Sequence, residues 1–134
     1  MKPVIGIVSD VFHDPENART HGKLYLNYNY VQAVADAGGT PLLIPPQADP
    51  QDVLPLLDGL MIPGGKDIDA SNWGEANHPE VETIAPERFE LEQRLYKAAD
   101  PNLPIFGICY GCQWLNVVRG GSLIQHIPDV EGSS

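Results

Sequence analysis

Basic residues are scarce: eight lysines and arginines stand against eighteen aspartates and glutamates, a formal net charge of -10 over 134 residues. A chain that binds nucleic acid must neutralise phosphates with a basic surface, so nucleic acid is excluded as an expected partner. Cysteine is scarcer still. Cys109 and Cys112 are the only two, three positions apart, and a disulfide framework would need more of them, spread more widely. No apolar run approaches the ~20 residues that a membrane span requires. The apolar stretch Val4 to Val8 behind Met1-Lys2-Pro3 is too short for a secretory signal and lacks a small-residue cleavage site. The expected location is therefore cytoplasmic, away from membranes. Two cysteines and scattered histidines make no recognised metal-ligand spacing, so neither metal nor cofactor is expected.

What is present is a globular composition, 43% hydrophobic and 19% charged, arranged as short apolar strands alternating with amphipathic helices. That alternation predicts an α/β fold with a mainly parallel sheet. Val4–Val8, Pro41–Pro45, Gly59–Ile62 and Leu103–Ile108 read as strands. Asn27–Ala37, Pro50–Leu57, Pro86–Ala99 and Gly111–Val118 read as helices. In the Pro86 helix, Leu91, Leu95 and Ala98 form one stripe and Glu90/Arg94 an expected i,i+4 pair. The polar segments Asp10–Lys23 and Asp67–Ile84 read as loops, the second long enough to suggest a functional role.

The strongest local signal is Ile105-Phe106-Gly107-Ile108-Cys109-Tyr110-Gly111-Cys112-Gln113. An apolar strand ends in Gly-x-Cys-x-Gly and a helix begins at once, the nucleophile-elbow arrangement with cysteine in place of serine. The glycines let the backbone make a tight, strained turn, which holds Cys109 above the carboxyl edge of the sheet at a helix N-terminus that favours thiolate. Cys112 reads as an ordinary buried cysteine. Gln113, four residues after Cys109, shares its helix face and reads as a substrate-binding amide. Alone, it would be an ordinary helix glutamine. Pro63-Gly64-Gly65 closes the third strand on the same edge. That glycine pair can aim a backbone N–H into the site, with the Tyr110 N–H as the natural second donor of an oxyanion hole. A plain strand-ending turn would use the same Pro-Gly-Gly.

Taken in order, these pieces resemble the N-terminal half of the peptidase C26 branch of class I glutamine amidotransferases. That branch contains γ-glutamyl hydrolases and γ-glutamyl-γ-aminobutyrate hydrolases. The matching segments include Lys2-Pro3-Val4-Ile5-Gly6-Ile7, Asn29-Tyr30-Val31, Ala37-Gly38-Gly39, Leu57-Asp58-Gly59-Leu60, Gly74-Glu75 with His78-Pro79, and Pro86-Glu87-Arg88. They end with Gly107 to Val117 and Gly120-Gly121-x-Leu123-x-Gln125. The resemblance implies a flavodoxin-like three-layer sandwich, here one C-terminally truncated domain over residues 1–134. It also implies a cysteine hydrolase that forms a γ-glutamyl thioester on Cys109, with the Gly65 and Tyr110 N–H groups holding the oxyanion and Gly64 beside them as a binding residue. Two residues depart from the pattern: Tyr110 stands where the γ-glutamyl-γ-aminobutyrate branch usually has arginine, and Lys66 where a third glycine often follows.

The resemblance also implies a His-x-Glu pair on a strand well beyond the nucleophile, whereas 25 residues follow Cys109. His78-Pro79-Glu80 has the right spelling but precedes the nucleophile, and is read as coincidence. His13 and His21 fall in the first loop and His126 in Gln125-His126-Ile127-Pro128. Two readings follow: a hydrolase of small γ-glutamyl substrates, or a catalytically incomplete dimeric binding module. A half-covered sheet would expose apolar surface and a strand edge, so a homodimer is expected.

Overall fold

The structure, a computed structural model, describes residues 1–130. Four parallel strands form the main sheet: β1 (Val4–Val8), β4 (Thr40–Ile44), β5 (Gly59–Ile62) and β6 (Ile105–Gly107), in the spatial order β4-β1-β5-β6. A chain that steps to one side of β1 and then to the other has its topological switch point between β1 and β5. The carboxyl ends of strands flanking such a point are where doubly wound folds build their sites. The fold is the expected mixed α/β arrangement with a mainly parallel sheet.

Asp10–Lys23 is not a loop. It contains an antiparallel hairpin of β2 (Asp10–His13) and β3 (Gly22–Tyr25), with Asp10 opposite Tyr25 and His13 opposite Gly22. The hairpin stands off the main sheet, and Phe12, Leu24 and Tyr25 stay exposed, so no apolar face betrays it in the sequence. Gly22 sits at φ 125°, and a Cβ there would lie 2.0 Å from the Phe12 carbonyl oxygen, which restricts the position to glycine.

Four helices connect the strands: α1 (Tyr28–Asp36), α2 (Pro50–Val53), α3 (Pro86–Ala98) and α4 (Tyr110–Val118). Gly38, at φ 93°, ends α1, and the Gly39 N–H returns to the Val34 carbonyl at 3.0 Å. α3 begins on Pro86, which needs no N–H partner in the first turn. The core gathers Val8, Ile44, Leu60 and Ile62 from the sheet, Leu91 and Leu95 from α3, and Trp114 and Val117 from α4.

Two expectations for α3 fail on its geometry. Ala98 is exposed because it is the last residue of α3, and the buried face of Arg88, Leu91, Glu92 and Leu95 ends before it. Arg94 does not pair with Glu90: its guanidinium reaches the Pro46 carbonyl at 3.3 Å, and the i,i+4 ion pair of this helix is Arg88–Glu92. No helix among the described residues is long and apolar enough to cross a membrane.

Candidate active site

Cys109 lies between β6 and α4 with φ 52° and ψ -108°, a conformation that side-chain-bearing residues rarely adopt. Two neighbours explain why it can. A Cβ on Gly107 would fall 2.5 Å from the Gly111 carbonyl atoms, and a Cβ on Gly111 would fall 2.0 Å from the Ile62 carbonyl oxygen. The helix therefore starts by passing directly over the end of β5, which is possible only without side chains at both positions. The Ile108 N–H donates to that same Ile62 oxygen at 3.0 Å, and the Gln113 N–H donates to the Cys109 carbonyl at 3.1 Å. The thiol-bearing residue is left exposed at the N-terminus of α4.

Cys112 is exposed rather than buried. The buried positions of α4 are Tyr110, Gly111, Trp114 and Val117, and residue 112 falls off that face. Gln113 is also exposed and lines a cleft of about 610 Å3 together with Trp73, Gln125 and His126.

The Pro63-Gly64-Gly65 turn follows β5, the neighbour of β6. Its polar groups are held by residues that pattern reading passes over. The Gly64 N–H donates to the Tyr30 hydroxyl at 3.1 Å. Arg88, fully buried, donates to the Pro63 carbonyl at 2.8 Å and to the Gly64 carbonyl at 2.9 Å. The N–H groups of Gly65 and Tyr110 bond to no described residue. Gly65 also faces Arg88 closely: a Cβ there would lie 2.7 Å from Nη1.

Arg88 is the hub of a buried polar network. Its Nε donates to Glu92 at 3.1 Å and its Nη1 to Asp10 at 3.0 Å, where Asp10 stands just past the end of β1. Glu92 in turn accepts from the Tyr110 hydroxyl at 2.7 Å, and the Arg88 guanidinium lies 4.6 Å from the Tyr110 ring centre. Burial, reinforced by the Glu92 carboxylate, pushes the Tyr110 phenol far above its ordinary range and keeps it a donor. Burial also pushes the Glu92 carboxyl up to about 7, against the pull of Arg88 and the Tyr110 hydroxyl. One sequence signal points to this network. Residues 88 and 92 share the i, i+3, i+4, i+7 stripe of Leu91 and Leu95, and charges on an apolar stripe need buried partners.

The raised Glu92 pKa gives a pH prediction. The folded state binds the Glu92 proton more tightly than the unfolded state, in which the pKa returns to about 4.5. This contribution to stability is therefore greatest below the unfolded value and is lost as pH rises through about 7. At 1.36 kcal/mol per pH unit the loss is on the order of 3 kcal/mol. Glu92→Gln should flatten that part of the curve. Urea unfolding of both proteins across this range checks it, and parallel curves would refute it.

The histidines are held in other ways. His13 Nε2 meets Glu87 at 2.5 Å on the exposed side of the hairpin, and His21 occupies the hairpin turn at φ 57°. His78 accepts from the Glu80 N–H at Nδ1 (3.1 Å), so its Nε2 is the donor to Asp129 at 2.9 Å. The carboxylate partner of His78 is thus Asp129, not Glu80 of the His-x-Glu spelling. His126 stacks on His78 at 4.7 Å between ring centres. The 67–84 segment closes on itself through Asp67, whose N–H and carbonyl bond Glu82 and Ile84. It is pinned from outside by Gln125, which accepts from the His78 N–H and donates to Glu75 and Ala76. No described residue hydrogen-bonds the Cys109 thiol, and no group of three metal-ligating side chains occurs among the described residues.

A family model described as Peptidase C26 matches residues 3–134. A Mycobacterium tuberculosis protein carrying the name glutamine amidotransferase is 41% identical over 115 residues, covering 82% of this chain and 37% of its own length. The γ-glutamyl-γ-aminobutyrate hydrolase of Escherichia coli O157:H7 is 36% identical over 128 residues, covering 90% of this chain and 48% of its own. The chain thus spans half or less of the length of these relatives. Among solved structures, a GMP synthase-type protein from Thermoplasma acidophilum superposes with a TM-score of 0.56 at 20% identity. The match covers 90% of this chain and 46% of that one, and the likeness concerns the fold alone.

Proposed function

The chain belongs to the peptidase C26 family, and from that premise we propose that it carries the nucleophile half of a cysteine hydrolase for γ-glutamyl amide bonds. The observation that carries this reading is the backbone of Cys109, held at φ 52° between two glycines that have no room for a Cβ. Such a strained turn between strand and helix serves to present a nucleophile.

In the proposed reaction the Cys109 thiolate attacks the γ-carbonyl carbon. The oxyanion of the tetrahedral intermediate lies against the Gly65 and Tyr110 N–H groups, which have no other described partner. The C–N bond breaks as the amine takes a proton from solvent water, and a second water attacks the thioester, releasing glutamate and returning Cys109 to its thiol form. Gln113, on the cleft with Trp73 and Gln125, and Gly64, on a separate hollow with Asp10 and Tyr30, are the further residues assigned to the glutamyl group.

Turnover of γ-glutamyl-p-nitroanilide or glutamine by wild type, set against Cys109→Ala, tests the proposal. Wild type should exceed background and the variant should not. Equal background rates would favour the second reading, a glutamyl-binding module without turnover. That reading draws on the absence of a described hydrogen bond to the Cys109 thiol.

We extend the proposal to a homodimer. Phe106 on the edge strand β6 is 62% exposed and Leu43 on the opposite edge strand 49%, so the sheet offers apolar surface at both margins. Gel filtration over a range of concentrations should show a dimer. A monomer at every concentration would end this part of the proposal.

A further inference from the structure

We propose that the buried Arg88–Glu92 pair is a positioning device that sets both oxyanion donors at once, through the Gly64 carbonyl on one side and the Tyr110 side chain on the other. The inference rests on the oxyanion-hole reading given above and adds to it the residues that aim the hole.

Peptide geometry supplies the reason. In a planar trans peptide the C=O and the next N–H point in opposite directions. Arg88 Nη1 holds the Gly64 carbonyl at 2.9 Å from within the core, so the Gly65 N–H of that same peptide must point away from the core. Arg88 Nη2 on the Pro63 carbonyl and the Tyr30 hydroxyl on the Gly64 N–H fix the preceding peptide in the same way. The turn has no freedom to rotate its donor inward.

The elbow side is fixed in parallel. The Cys109 carbonyl accepts from the Gln113 N–H, so the Tyr110 N–H of that peptide points out of the helix start. The Tyr110 side chain, 2% exposed, is anchored by its hydroxyl on Glu92 and by its ring against the Arg88 guanidinium. Glu92 and Arg88 are bonded to each other at 3.1 Å, so the two donor peptides are tied to one rigid fork. Arginine suits this role because its planar guanidinium donates in several fixed directions. Here it binds two carboxylates and two carbonyls, which a lysine ammonium cannot do in one geometry.

Arg88 and Glu92 touch no substrate in this scheme, so the test must separate aim from stability. The probe is a chloromethyl ketone whose ketone stands at the position of glutamine's side-chain carbonyl, L-2-amino-6-chloro-5-oxohexanoate. Cys109 Sγ forms a bond to its chloromethyl carbon as the C–Cl bond breaks. Chloride departs with the electron pair, and the thiol proton passes to solvent. The ketone oxygen seeks the oxyanion hole. Iodoacetamide alkylates the same sulfur with loss of iodide and needs no such hole. Site-resolved mass spectrometry gives the ratio of the two rates at Cys109 for wild type, Glu92→Gln and Tyr110→Phe. Tyr110→Phe keeps the ring packing and removes only the hydroxyl tie.

Wild type should favour the ketone, and both variants should lower the ratio by about tenfold or more, short of the loss expected for deleting a donor outright. A wild-type preference that survives undiminished in both variants overturns the inference and leaves the functional reading standing. A wild type with no preference for the ketone removes the oxyanion-hole reading, and the inference with it.

Discussion

Gly111→Ala is expected to destabilise the protein by about 3–5 kcal/mol, toward the upper end of what a single added methyl can do. The new Cβ would stand 2.0 Å from the Ile62 carbonyl oxygen and 2.9 Å from its carbon. Both are backbone atoms in the last residue of β5, where Ile62 pairs with Gly107 and accepts from Ile108. A flexible side chain could turn aside, but a strand cannot. Relief would require α4 to lift from the sheet, and Tyr110, Trp114 and Val117 are buried beneath it. Chemical denaturation measures the loss. A midpoint shift equivalent to less than about 1 kcal/mol would mean that the helix start is far softer than its close approach implies.

Arg88→Met should cost a similar amount, about 3–5 kcal/mol, for a different reason. The substitution keeps most of the volume but leaves Glu92, Asp10 and the Pro63 and Gly64 carbonyls without their donor. Asp10 and Glu92 are 7% and 0% exposed, so water cannot replace the lost bonds in full. The double variant Arg88→Met/Glu92→Met should be less unstable than the sum of the single changes, since neither partner is then left as an isolated buried charge. Additive losses in urea would show that the pair is not energetically coupled.

The elbow is legible in the sequence because its requirements are local. Gly107, Cys109 and Gly111 are set two apart, and a strand on one side with a helix on the other leaves few backbone paths. The same holds for the main strands, whose short apolar runs and flanking glycines and prolines limit them to a few residues. The β2–β3 hairpin escapes such reading because its strands are four residues long and its apolar residues Phe12, Leu24 and Tyr25 stay exposed, so alternation carries no signal. The exposure of Cys112 is equally hidden, because the burial of a single helix position depends on how the helix is rotated against the sheet. That rotation is set by Tyr110, Trp114 and Val117 together.

Sequence alone thus determined the α/β class, the parallel strands and the place of Cys109 at the strand–helix junction, since steric limits within a few residues decide each of these. Tertiary structure alone decided who holds the site. Asp10 and Arg88, Pro63 and Arg88, and Glu92 and Tyr110 are brought together from 78, 25 and 18 residues apart. Helical spacing marks Arg88 and Glu92 as charges on a buried stripe but does not name their partners, because those come from elsewhere in the chain.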